Sequence, residues 1–235
     1  SEAFHIVGDF TIVEPNGGDD FRAGTSHDIQ WNWGGTIPTV KLYYSIIPNP
    51  DPTDLADWTL ISDIVPNGAG DGADGASIQT YSWAIPADIT LSTTATIMIQ
   101  DAGDASVYDL SDLTFDIRGT ITVTAPVGNA DPSLAERWVT NETENITWTT
   151  VGKVDKVRIE YSRNVDFSSP VLIVDNLVNT HNGNSSYSWV IPDDVLKDAN
   201  GKYTGPNMIK VRITPIINGS NPVTPDPVSY GQSPQ

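Results

Sequence analysis

Val40-Lys-Leu-Tyr-Tyr-Ser45 returns later in the chain as Val157-Arg-Ile-Glu-Tyr-Ser162. Every second residue is apolar in both: Val40, Leu42 and Tyr44, then Val157, Ile159 and Tyr161. A period of two puts one side-chain set on a buried face and the other in water, which describes a half-buried β-strand. Other matches keep the same order around this pair. Ile29-Gln-Trp31 answers to Ile146-Thr-Trp148, and Tyr81-Ser-Trp-Ala-Ile-Pro86 to Tyr187-Ser-Trp-Val-Ile-Pro192. Ile97 and Ile99 answer to Val211 and Ile213, and Phe21 to Trp138. Loop lengths differ and order does not, so the chain is a tandem duplication.

Turn signals separate the strands: Asn16-Gly17-Gly18, Gly34-Gly35, Asn182-Gly183, Asn218-Gly219 and many of the 17 prolines. No stretch has the period of a long amphipathic helix. The acid bias agrees, with 24 Asp against 6 Glu, because Asp suits turns and caps while Glu suits helices. About seven short strands in roughly 110 residues per copy is the pattern of an immunoglobulin-like sandwich. The expected fold is therefore all-β, two tandem immunoglobulin-like (fibronectin III-like) β-sandwiches. The boundary falls where Phe115-Asp-Ile-Arg-Gly119 runs into Thr120-Ile-Thr-Val-Thr-Ala-Pro126, giving one domain over 9–118 and a second over 119–235.

The two ends do not match. Phe4-His-Ile-Val-Gly8 leads into Asp9–Pro15 as Phe115–Gly119 leads into Thr120–Pro126. Residues 1–8 thus read as a strand belonging to a preceding or neighbouring sandwich. Copy one continues into Leu113-Thr-Phe-Asp-Ile117, whereas copy two ends at Gly231-Gln-Ser-Pro-Gln235, short of an equivalent last strand. An open sheet edge is aggregation-prone. Three readings fit: a longer array of modules; strand complementation in which Phe4 and Ile6 enter the second domain of another copy, with Gly8 as the break between strands; or a segment 1–8 that packs on its own domain or frays. The second is head-to-tail and propagates into a filament.

The 235 residues carry a net charge of −18, which excludes a basic footprint for nucleic acid and adhesion to an anionic membrane. Residues 1–118 hold 18 acids and 3 bases, while residues 119–235 hold 12 and 9. Cysteine is absent, so there is no disulfide frame, thiolate nucleophile or zinc–cysteine site. No apolar run is long enough to insert directly into a membrane, and no signal peptide is visible, so an exported protein would be in its mature form or a fragment.

Pro15-Asn-Gly-Gly-Asp-Asp-Phe21, Gly24, Ile29–Trp31, Val40–Ser45, Trp58 and Tyr81–Pro86 together resemble a repeat of secreted bacterial and archaeal cell-surface proteins. That repeat is similar to the serine/threonine-rich, GPI-anchored cell-wall modules of fungi. Copy two keeps Pro126, Trp138, Ile146–Trp148, Val157–Ser162 and Tyr187–Pro192, but loses the Asn-Gly-Gly turn and any partner for Trp58. The resemblance implies surface architecture or adhesion at an extracellular location and brings no catalytic residues.

The chemistry in the sequence is sparse. His5, His27 and His181 are scattered without metal-ligand spacing, and there is no Gly-x-Ser-x-Gly elbow. The expectation is a non-enzymatic structural protein, with an adhesin or a carbohydrate- or protein-binding module as the alternative. Calcium is the one cofactor to weigh. Asp71 and Asp74 lie in a glycine-rich loop starting at Asn67, and Asp101, Asp104, Asp109 and Asp112 crowd a second loop. Calcium takes about six to eight oxygens, and glycine lets carbonyls join carboxylates; solvated acidic loops are the other reading. Trp33 and Trp58 have no counterparts in copy two and are the candidates for stacking on surface glycans. Asn141, Asn145, Asn184 and Asn218 begin Asn-x-Ser/Thr sequons, all in copy two. The expected partners are copies of the chain itself or neighbouring modules.

Overall fold

The computed structural model describes residues 4–67, 78–128, 136–164, 166–197, 200–202, 209–216 and 231–232. Two compact units emerge: Ser1–Pro86 with Thr90–Arg118, and Ala87–Ile89 with Gly119–Gln235.

In the first unit the strands are β1 (Asp9–Glu14), β2 (Asp20–Arg22), β3 (Ser26–Gly34), β4 (Thr39–Ser45), β5 (Thr59–Pro66), β6 (Gln79–Ala84), β7 (Ser92–Asp101), β8 (Tyr108–Leu110) and β9 (Phe115–Arg118). One sheet has the order β1-β3-β6, and the other β2-β9-β7-β4-β5 with β8 also on β7. The second unit has β10 (Thr120–Ala125), β11 (Thr143–Val151), β12 (Lys156–Ser162), β13 (Val171–Val178), β14 (Asn184–Val190), β15 (Lys210–Ile216) and β16 (Gly231–Gln232). Its sheets are β10-β11-β14 and β13-β12-β15-β16. Each unit is an immunoglobulin-like sandwich. Among the described residues every strand pairing is antiparallel except β2 with β9.

The duplication extends to register. Ile12 pairs with Trp31 before a bulge that ends at Glu14, and Val123 pairs with Trp148 before a bulge that ends at Ala125. Ile29, Trp31 and Trp33 alternate inward on β3, as Ile146, Trp148 and Thr150 do on β11. Trp83 and Trp189 are buried on the partner strands. Large flat rings dominate the area removed from water, which is why the tryptophan strands make the repeat legible.

The alternation breaks at Tyr43. It is buried although it points away from Leu42, because Trp58 and Met98 cover the outer face of that sheet. A short 3-10 turn at Leu55–Asp57 brings Trp58 there. Asp51 and Asp54 build this turn: their carboxylates accept from the amides of Thr53 and Ala56.

Candidate functional site

The joint strand sets the geometry. On β9, Phe115 and Ile117 are 1% and 0% exposed, and Phe115 packs 4.9 Å from the Phe21 ring. Ile117 pairs with Ser92 of β7 on one side and with Phe21 of β2 on the other. Asp116 and Arg118 alternate outward and form an ion pair, with Asp20 beside Arg118. After Gly119 the chain enters β10.

Phe4, Ile6 and Gly8 hold the same places ahead of β1, but their surroundings differ. Phe4 is 81% and Ile6 86% exposed, and residues 4–8 lie outside any strand. Gly8 is required by close approach: a Cβ there would lie 2.6 Å from the Gly34 carbonyl oxygen and from Ile37 Cδ1. The residue therefore lets the segment leave the sandwich tight against the end of β3.

In the second domain β16 stands where β8 stands. Met98 pairs with Leu110 and Tyr43 in the first domain, and Arg212 pairs with Gln232 and Glu160 in the second. Among the described residues β15 has β12 and β16 as its neighbours, and no strand corresponds to β9. Trp138 occupies the place of Phe21 and meets Trp189 at 6.5 Å.

Asp101 and Asp104 serve their own turns, while Asp109 and Asp112 reach across to the segment of Ile12 and Asn16. Asp101 Oδ1 accepts from Gly103 N–H at 2.8 Å, and Asp104 Oδ1 accepts from the Ser106 amide and hydroxyl at 3.0 and 2.7 Å. Those two bonds hold the Asp104 carboxyl below its ordinary range. Asp109 Oδ2 accepts from Ile12 N–H at 2.8 Å, and Asp112 Oδ2 from Asn16 Nδ2 at 2.8 Å. Burial raises the Asp109 carboxyl. Among the described residues no three His, Cys, Asp or Glu side chains come together as metal ligands. Asp71 and Asp74 lie outside the described residues.

The glycan-stacking reading of Trp33 and Trp58 is corrected, since they are 3% and 7% exposed. Trp33 sits on the inner face of β3 opposite Phe10. Trp58 lies on Tyr43 and Met98, and its Nε1–H donates to the Asp51 carbonyl at 2.9 Å. Neither ring has a face free for a sugar. Asn141, Asn145 and Asn184 are exposed, and Asn218 lies outside the described residues.

One pair escaped the sequence reading. Asn67, taken as the first residue of the acidic loop, is buried, and its Oδ1 accepts from Trp31 Nε1–H at 2.7 Å while its Nδ2 donates to the Ile37 carbonyl at 3.0 Å. Asn179 does the same with Trp148 at 2.8 Å and Val154 at 2.8 Å. Aligning Val65-Pro-Asn67 with Leu177-Val-Asn179 would have exposed the signal.

No family model matches the chain, and no curated protein matches it. Among solved structures it is similar to fibronectin(III)-like modules of Clostridium thermocellum CbhA, at 16% identity over 94% of this chain and 88% of that one, with a TM-score of 0.25. It is also similar to DIP-gamma IG1+IG2, at 12% identity over 95% of each chain, TM-score 0.29. The teleost fish polymeric Ig receptor ectodomain matches at 11% identity over 79% of this chain and 87% of that one, TM-score 0.29. The fold assignment rests on the strand order and register above. No helix among the described residues is long and apolar enough to cross a membrane.

Proposed function

We propose that the chain is a structural, non-catalytic building block of an extracellular filament, sheath or stalk. Rigid sandwiches join head-to-tail, with the strand around Phe4–Val7 completing the second domain of a neighbouring copy. One observation carries the reading: the same Phe-x-Ile pattern is buried at Phe115 and Ile117 and exposed at Phe4 and Ile6. Exposed aromatic and aliphatic residues at the spacing of a core strand suit strand addition, where main-chain hydrogen bonds give affinity and alternate side chains fill pockets. The extracellular assignment rests on the resemblance to secreted surface repeats. The strong negative charge suits a module that must stay soluble until it docks.

Light scattering and negative-stain microscopy of the full chain and of a chain lacking residues 1–7 test the reading. End-to-end oligomers that vanish on truncation, or in Phe4→Asp/Ile6→Asp, are the expected result. Monomers at every concentration in both chains overturn it.

A further inference from the structure

We infer that Trp138 is the docking platform of the second domain, and that Phe4–Val7 of a second copy is the strand it receives, with Ile6 placed opposite Trp138. The inference rests on the strand-addition reading and names its receptor.

In the first domain four rings close one end of the sandwich, and His27 stacks on Phe21 at 4.2 Å and 15°. Phe21 meets Trp83 at 6.3 Å and 61°, and meets Phe115 at 4.9 Å and 51°. Covered on both sides, Phe21 is buried. Trp138 meets Trp189 at 6.5 Å and 61°, repeating the first of those contacts. Among the described residues no ring takes the place of Phe115, Glu144 stands where His27 stacks in the first domain, and Trp138 is only partly buried. The Trp138 Nε1–H donates to Glu136 Oε1 at 3.0 Å, and Glu136 Oε2 accepts from Val127 N–H at 2.6 Å. The ring is thus oriented before any strand arrives, which lowers the ordering cost of docking.

The backbone points the same way. In the sheet order β2 has β9 as its one neighbour. The corresponding residues Arg137–Val139 form no strand. The Val139 carbonyl is held by the Glu142 amide at 3.3 Å, so an incoming strand would pair through the main chain of Arg137 and Trp138.

Side-chain chemistry selects the occupant. The parallel register of β2 with β9 sets Phe21 opposite Ile117 and Arg22 opposite Arg118, within the ion pairs to Asp20 and Asp116. Carried to the second domain, that register sets Ile6 opposite Trp138 and Val7 opposite Val139. Val7 is 60% and Val139 54% exposed. The charged pair of the internal joint becomes an apolar pair in the intermolecular one, so Phe4–Val7 fits this edge better than a copy of β9 would.

The test uses the full chain carrying Phe4→Ala/Ile6→Ala as acceptor and a synthetic peptide of residues 1–9 as probe. Saturable binding with a blue shift of tryptophan emission is expected. Binding should weaken at least tenfold in Trp138→Ala and in Val139→Asp, and survive in Trp138→Phe, the first domain's own solution. Val139 is exposed, so its substitution leaves folding intact and keeps the test decisive should Trp138→Ala misfold. Oligomers that depend on residues 1–7 but ignore Trp138→Ala and Val139→Asp would overturn this receptor and leave the strand-addition reading standing. Absence of both oligomers and peptide binding removes both.

Discussion

Tyr43 and Met98 face each other across β4 and β7, and Glu160 and Arg212 face each other at the same register across β12 and β15. Both pairs lie on the outer face of the sheet, and both are covered by an aromatic from the loop that follows. Trp58 covers the first, with Leu110 beside it. Phe167 covers the second, its ring centroid 4.1 Å from the Arg212 guanidinium, while Arg212 forks onto Glu160 Oε2 at 2.7 and 3.2 Å. One backbone site is thus sealed by an apolar cluster in one domain and by an ion pair under a ring in the other. The inner face, with its tryptophans, defines the fold; the outer patch needs only a lid and an internally satisfied pair. Some of the second domain's nine bases are spent on such internal pairs rather than on a basic surface.

The sharpest way to break this comparison is to remove half of the ion pair. Arg212→Met leaves Glu160 desolvated and unpaired, and stability should fall by about 3–5 kcal/mol. The double change Glu160→Tyr/Arg212→Met installs the first domain's pair and should be neutral or stabilising by about 1–4 kcal/mol. Urea unfolding followed by tryptophan fluorescence measures both. A double variant as damaged as the single one would show that the two lids are not interchangeable.

Next in size is a feature the domains share. Asn67→Ala and Asn179→Ala each strand a buried indole N–H and a backbone carbonyl, at a cost of about 1–3 kcal/mol apiece. Equal losses would establish the Trp–Asn clamp as common framework. A loss confined to one domain would mean that water replaces the asparagine in the other.

A smaller effect separates lysine from arginine. Arg158 binds Asp175 through two nitrogens at 3.2 and 2.9 Å, and Lys41 and Asp63 hold the equivalent places on β4 and β5. The pair is partly exposed, so Arg158→Lys should cost no more than about 0.5 kcal/mol and lose that effect in high salt.

The tandem sandwiches were legible because Trp31, Trp83, Trp148 and Trp189 sit on strands whose period of two survives in both copies. The likeness of Phe4 and Ile6 to Phe115 and Ile117 was legible for the same reason, since both repeat a core-strand pattern. Trp33 and Trp58 misled because they lack repeat partners, and lack of a partner was taken for exposure. One lies on an inner face opposite Phe10, and the other is carried onto an outer face by an aspartate-built turn, which no periodicity announces. Asn67 and Asn179 were hidden because each closes a strand end, where composition reads as loop. Trp138 was visible as the counterpart of Phe21, but its partial exposure was not, because Glu144 stands where His27 stacks on Phe21.

The smallest expected effect concerns acid. Asp109 of β8 accepts from the Ile12 amide, and β16 has Gly231 at the equivalent place. Burial raises the Asp109 carboxyl above its ordinary value of 3.8, against the opposing pull of the Ile12 and Leu110 amides. Just above that value the folded chain holds a proton that the unfolded chain has released, so this group makes stability fall as pH rises through the window. Asp51, Asp104 and Asp166 act in the opposite sense. Hydrogen bonds from Thr53, Ser106 and Ser168 lower their carboxyls, and the stability they add is lost as pH falls below the ordinary carboxylate range. Asp109→Asn keeps an oxygen for the Ile12 amide and abolishes the titration. Thermal melting across the acid range should show a shallower decline above 3.8 for the variant and an unchanged loss below it. Superimposable pH profiles would mean that Asp109 titrates as it does in the unfolded chain.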